Sequence, residues 1–357
     1  MKIAVLGTGW GVRAQLPALR AAGFDELMLW SRDGARAESL AAPLGARGTG
    51  SLADALAWAE LVFVSTPVYL HESQALAALS AGCHVICEKP FALDAGEAGR
   101  LADAAATRPG QFAAVDHELR LLPGRIALRE RLAAGEAGEV FAVEIVDRRP
   151  SRSSPEGAWS WWSDRSRGGG AWGALGSHLV DSVRWLFGEI TLESCQLATA
   201  IKQRRDGDGG MRPVTADDYA VALGRIPSGA PYSIHINLAA PGPGEDRLTV
   251  RGSQATFRLD ADGRLFETPT GAQEETLRVD AADAPPGLPV NGYTIGTLAL
   301  ARALKRAADG KGELRDIGLA SFSDALKVQE LLDRGRALAS RECEPRVASN
   351  ALPIPSI

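Results

Sequence analysis

Hydrophobic positions in the first 120 residues follow two alternating rules. Continuous apolar runs at 3–6, 27–30, 61–64, 84–87 and 112–115 carry the pattern of strands buried on both faces. Between them lie stretches of helical spacing: about 14–19, 35–44, 51–58 with Ser51 as its N-cap, 71–81 stopped by Gly82, and 95–106. Strands and helices alternating at this spacing predict βαβ units and a parallel sheet. After Arg120 the texture changes. Runs at 140–146, 232–238, 248–250, 255–259 and 265–266 are β-rich without intervening helices of crossover length, and Gly252-Ser253 and Asp262-Gly263 supply turns. These predict an antiparallel sheet. A glycine-dense stretch from Gly168 leads into a helix ending near Phe187, residues 206–212 and the Pro-rich 284–289 read as surface loops, and helices over 294–307 and 317–340 close the chain. The expected fold is therefore an α/β Rossmann domain, a doubly wound parallel sheet, over 1–120, and an α+β domain with a mostly antiparallel sheet over 121–357, whose last helices can pack back on the first.

Length agrees: 357 residues at about 150 per domain give roughly two domains. An apolar fraction of 45% and a charged fraction of 23% are ordinary for a globular chain. With 39 basic against 44 acidic residues and no Lys/Arg cluster, a nucleic-acid partner is not expected. Cys83, Cys87, Cys195 and Cys343 are scattered, which indicates neither a disulfide framework nor a metal site. The first apolar run stops at Gly7, too short for a signal segment, and no stretch approaches the 18 apolar residues of a membrane span. A soluble cytoplasmic protein is the expectation.

Three places carry candidate chemistry. Gly7-Thr8-Gly9-Trp10-Gly11-Val12 joins a buried strand to a helix, where the first glycine permits a tight turn and the second lets backbone N–H groups approach a pyrophosphate at the helix N-terminus. Val12 stands where the third glycine of that pattern belongs, and glycine turns also join many strands to helices without any nucleotide. Glu88-Lys89-Pro90 follows the fourth strand, at the edge where such sheets bind ligands, with Thr66-Pro67 at the end of the third strand beside it. Lysine fills only 6 of the 39 basic positions, and Pro90 bars Lys89 from helical backbone and aims its side chain; the competing reading is a solvated turn lysine. His178 lies on the helix after Gly168, one turn from Ala174 and Asp181. It can be a general acid/base or a satisfied core histidine, and Asp181 can orient it or pair with Arg184.

Together, the glycine turn, Thr66-Pro67 with His71 after it, Glu88-Lys89-Pro90 and the 168–181 helix resemble the glucose-fructose oxidoreductase / inositol dehydrogenase / MocA family. Residues 135–140, Asp217-Asp218-Tyr219, Val250-Arg251-Gly252 and the final helices fit the same order. The resemblance implies an NAD(P)-dependent oxidoreductase acting on a sugar-like or cyclitol hydroxyl, and a second domain whose large open sheet supports a homodimer or homotetramer. It implies that the glycine turn, Thr66, Pro67, His71, Glu88, Lys89 and Pro90 hold the cofactor, that Lys89 contacts both nicotinamide ribose and reacting hydroxyl, and that His178 is the catalytic histidine. Many members carry Asp four residues before that histidine, and here Ala174 stands there. Either Lys89 and His178 suffice, or another acid such as Asp164 substitutes, or catalysis is lost. Trp159, Trp161 and Trp162 can wall a sugar ring or pack a core, and Asp116-His117-Glu118 with Arg120 follow the fifth strand, where the family places substrate contacts. Two other functions compete with the dehydrogenase: a glycosidase working by transient oxidation, and a dinucleotide-binding sensor without catalysis.

The second strand bears on NADP against NAD. It ends in Ser31-Arg32-Asp33, and Ser31 stands where NAD enzymes carry an acid on the ribose hydroxyls. Arg32 can donate to a 2′-phosphate, so NADP is favoured; the counter-reading makes Asp33 the ribose ligand.

Overall fold

The computed structural model describes residues 1–282 and 291–342. The expected Pro-rich loop at 284–289 and Cys343 lie outside the described residues. Strand β1 (Ile3–Leu6) is fully buried, because its four apolar side chains face helices on both sides of the sheet. β2 (Leu27–Trp30), β3 (Arg47–Thr49), β4 (Leu61–Val64), β5 (His84–Cys87) and β6 (Ala113–Val115) join it in parallel, in the order β3-β2-β1-β4-β5-β6. The order reverses between β1 and β4, which opens a crevice at their carboxyl ends. The helix between β4 and β5 spans His71–Ser80, and Ser51 caps the Leu52–Trp58 helix by accepting from the Asp54 N–H.

The second sheet begins with β7 (Val140–Arg148) and β8 (Thr191–Ala198). A separate hairpin, β9 (Gln203–Arg205) and β10 (Met211–Pro213), follows. Then come β11 (Tyr219–Arg225), β12 (Pro231–Asn237), β13 (Glu245–Gly252), β14 (Ala255–Asp260), β15 (Leu265–Pro269) and β16 (Thr276–Val279). The eight-stranded order is β16-β15-β14-β13-β7-β12-β11-β8, antiparallel except for the parallel β7–β12 pair. Alternate residues of β12, namely Tyr232, Ile234 and Ile236, point into a core shared with the helices Gly176–Phe187 and Phe322–Glu342.

Three differences from the sequence reading have local causes. The loop expected over 206–212 is the turn and one side of the β9–β10 hairpin, closed by Asp206 accepting from the Asp208 and Gly210 N–H groups. The last helix starts at Phe322 rather than 317; Gly318 in left-handed backbone ends the preceding 3₁₀ turn, and β17 (Ala320–Ser321) then pairs antiparallel with β6. β8 and β11 were not expected: β8 breaks its apolar residues with Thr191, Glu193, Ser194 and Gln196, whereas β11 is apolar from Tyr219 to Leu223 and was not read as a strand.

The last helices contribute to the first sheet. Leu298, Leu300, Ala301 and Leu304 of the Gly292–Ala308 helix share a core with Ile3, Val5 and Leu19, and Phe322 lies against Phe91 with ring centroids 4.6 Å apart. Trp172 anchors the stretch before His178. It is fully buried, donates from Nε1 to the Leu332 carbonyl at 2.9 Å, and presses so closely on Gly335 that a Cβ there would come within 2.8 Å of the indole.

Candidate active site

The crevice at β1 and β4 widens into a cleft of about 820 Å³. The glycine turn forms one wall. Gly7 has a φ of +124° and sits so close to the β4 end that a Cβ would lie 2.4 Å from the Ser65 oxygen, so only glycine fits without displacement. A Cβ on Gly9 would meet nothing within 4 Å, which leaves its backbone open to the cleft. The helix behind opens with a wide π turn over Gly11–Gln15 and continues as Leu16–Ala21. Bare backbone, a helix N-terminus and the exposed Arg13 at the same wall fit a dinucleotide pyrophosphate. Val12 is half-buried and packs beside the β1 core.

The floor is built by β4 and β5. Thr66 Oγ1 donates to Gln74 Oε1 at 2.6 Å, and Pro67 lines the cleft. His71 is 1% exposed and ties the two edges together: Nε2 lies 2.8 Å from the Thr66 carbonyl, and Nδ1 3.1 Å from that of Pro90. Burial pushes its pKa down, against the pull of those carbonyls. The Lys89–Pro90 peptide is cis, and Lys89 Nζ reaches the Ala174 carbonyl at 3.4 Å. Beneath Lys89 lies a buried acid group. Gln15 Nε2 donates to Glu88 Oε1 at 3.0 Å and Asp116 Oδ2 at 3.1 Å, and the Ser65 hydroxyl donates to Gln15 Oε1. Burial and the neighbouring Asp116 charge raise Glu88 to about 8, and burial raises Asp116 to about 6.

His178 stands one layer behind this floor. Its side chain is 0% exposed, and Nε2 faces Glu118 Oε2 at 3.8 Å; neither atom has a hydrogen-bond partner. Glu118 itself lines the cleft, and burial plus the charges of Asp116 and Glu88 drive its pKa well up. On the other side, His178 Nδ1 lies 3.5 Å from His117 Nδ1. Burial pushes both histidines down, His117 to about 4. Asp181 neither orients His178 nor pairs with Arg184: it takes two bonds from Arg120, while Arg184 pairs with Glu189.

Opposite Lys89, the Tyr293 ring lies 5.8 Å from its Nζ and 5.2 Å from the His178 ring. Arg149 sits over the same ring at 5.2 Å and is held by Asp147 and Asp246. Ser151, Arg152, Ser160, Trp161, Trp162 and Asn291 complete this end. Trp161 and Trp162 thus line the cleft, whereas Trp159 stacks on Arg212 at the β9–β10 hairpin. Asp164 points elsewhere: it accepts from the Ser166 N–H and hydroxyl and faces Arg167 at 3.6 Å. Ser31 and the exposed Arg32 lie beyond the glycine turn after β2, and Asp33 caps the Gly34–Ala41 helix by accepting from the Arg36 N–H. Sequence reasoning missed Arg13, Arg149, Arg152, Asn291 and Tyr293; the only local signal was the basic run Arg148-Arg149 at the end of β7.

A phosphate-ready glycine turn at the reversal of a parallel sheet, facing a lysine across from a second sheet, has the form of a dinucleotide-binding site. Residues 1–117 match the oxidoreductase family with an NAD-binding Rossmann fold, and residues 126–258 match the GFO/IDH/MocA C-terminal domain. An uncharacterized oxidoreductase of Synechocystis sp., sll0816, is 32% identical over 293 residues, covering 78% of this chain and 79% of that protein. Glucose-fructose oxidoreductase domain-containing protein 2 of Mus musculus is 27% identical over 347 residues, covering 93% and 89%. Levoglucosan dehydrogenase, solved with NADH and levoglucosan, has the same fold, with a TM-score of 0.83 at 22% identity over 96% and 97% of the chains. The chain belongs to the GFO/IDH/MocA family of NAD-binding oxidoreductases.

Proposed function

We propose that this protein is an NADP-preferring dehydrogenase or reductase that interconverts a secondary alcohol and a ketone on a sugar-like or cyclitol substrate. The observation that carries it is Lys89: its ammonium stands in one cleft between the glycine turn and a wall of aromatic, hydroxyl and guanidinium groups. The mouse relative's name, which includes a glucose-fructose oxidoreductase domain, supports a sugar-like substrate. When bound, the nicotinamide supplies or removes the hydrogen and electron pair at the reacting carbon.

Lys89 holds the reacting oxygen and stabilises negative charge as it develops there. Glu118 carries the proton. Burial raises its pKa and so favours the protonated form, the state that donates to a carbonyl oxygen during reduction. In oxidation the ionised form of Glu118 takes the hydroxyl proton back, with neutral His178 standing 3.8 Å behind it. This pair stands in for the carboxylate that Ala174 does not supply. Lys89→Met is expected to lower kcat by about 10²–10⁴-fold while dinucleotide affinity stays within a few-fold. Wild-type turnover in that variant, over a panel of sugars and cyclitols, would falsify the assignment.

The NADP preference rests on Ser31 and the exposed Arg32 after β2, with Asp33 engaged as a helix cap. A charge-assisted bond to a 2′-phosphate implies that Arg32→Ala weakens NADP by about ten- to a hundredfold and leaves NAD nearly unchanged. Fluorescence titration of both cofactors tests this; equal losses, or a wild-type preference for NAD, reject it.

A further inference from the structure

We propose that the substrate carries a carboxylate, as in a uronic or aldonic acid, and that Arg152 binds it. The inference rests on the dehydrogenase reading only for the location of the substrate. Arg149 touches the ring of Tyr293, the same ring faces Lys89, and Arg152 lines the same cleft beside Trp162.

The two arginines differ in their charge balance. Arg149 is neutralised by Asp147 and Asp246. Arg152 is half-buried, donates to the Ser163 hydroxyl at 3.2 Å and lies 5.0 Å from the Trp162 ring centroid. Among the described residues no carboxylate comes within ion-pair distance of it. Burial and the nearby Arg204 destabilise its cation, lowering its pKa to about 10, with only Asp218 opposing. The other acids of the cleft cannot balance it, because Glu88 and Glu118 are both raised by burial and stand at the Lys89 floor. A guanidinium held this way is completed by a planar carboxylate, which accepts two parallel N–H bonds. The rest of the wall suits the remainder of a sugar acid: Trp161 and Trp162 offer faces to a ring, and Ser151, Ser160 and Asn291 offer hydrogen bonds to hydroxyls.

The test compares each acid with its neutral parent, by calorimetry on the dinucleotide-saturated protein and by turnover: D-glucuronate with D-glucose, D-galacturonate with D-galactose. D-glucose 6-phosphate serves as the phosphate arm. The acids are expected to bind about ten- to a hundredfold tighter than their parents. Arg152→Gln collapses that ratio toward one, and Arg152→Lys restores part of it. Melting curves and dinucleotide titration report whether each variant folds. Equal affinity for acid and parent, an unchanged ratio in Arg152→Gln, or tighter binding of the phosphate overturns the proposal. Turnover of neutral sugars with no gain for the acids also overturns it, yet leaves the dehydrogenase reading standing. Acid binding that depends on Arg152, without redox turnover of any sugar, supports the carboxylate site and defeats the dehydrogenase reading.

Discussion

Glu88 and Asp116 share the single amide of Gln15, a spacing at which two negative charges cannot both be accommodated cheaply in a buried site. Glu88 therefore stays protonated up to about 8, against an ordinary carboxyl value of 4.5. The unfolded chain releases that proton earlier, so the folded state binds more protons over this range and stability falls as pH rises. His117 and His178 act in the opposite sense, but only below their ordinary value of 6.5. Above about pH 6.5 the carboxyls raised by burial dominate, Glu88 together with Glu118. The wild-type melting temperature is expected to decline above that pH, and the Glu88→Gln/Asp116→Asn double variant to show a flatter profile; a profile as steep as wild type rejects the coupling. Sequence legibility at this scale follows locality. Lys89 and the glycine turn stand out because their backbone context, a strand end followed by proline or glycine, is written in adjacent residues. Arg149 and Arg152, in the segment after β7, lie far along the chain from Tyr293 on the Gly292–Ala308 helix, and they become a site only through the packing of the second domain. His178 was legible as chemistry, but its depth behind Glu118 was not, since a helical period gives a face and not a layer.

Among the elements, the strand–turn–helix unit at the start of the chain separates two demands on glycine. Gly7 is required by the fold: its positive φ and contact with Ser65 leave an alanine side chain no space. Gly9 is not required by the fold, because space around it is open, and the proposed dinucleotide is what would demand glycine there. Gly7→Ala is expected to lower stability by about 1–3 kcal/mol and to weaken dinucleotide binding with it. Gly9→Val keeps the wild-type melting temperature and loses dinucleotide affinity by tenfold or more. Thermal melting alongside cofactor titration distinguishes them, and a Gly9→Val protein that binds normally removes the turn from the site. The parallel sheet was legible because each of its longer strands is one apolar run. The second sheet was read only in part: half-buried β8 mixes its apolar residues with polar ones, and the apolar Tyr219–Leu223 stretch of β11 was not read as a strand.

The whole molecule is laced together across its two sheets. β17 completes the edge of the first sheet, and the Gly292–Ala308 helix covers the face formed by Ile3, Val5 and Leu19. A fragment of residues 1–120 would bare both surfaces. It is expected to show no cooperative thermal transition by circular dichroism, whereas full-length protein melts cooperatively; a cooperative fragment contradicts this account.

The placement of β7 also bears on how the chain is made. This strand lies at the middle of its sheet, with Val143 beside Tyr232 on one edge and Val250 on the other. Both partners leave the ribosome long after β7 does, so a nascent chain carries that strand with two bare edges through much of synthesis. Glu144, Asp147 and Arg148, interleaved with its valines and isoleucine, are charges of the kind that disfavour pairing of such a strand with a wrong neighbour.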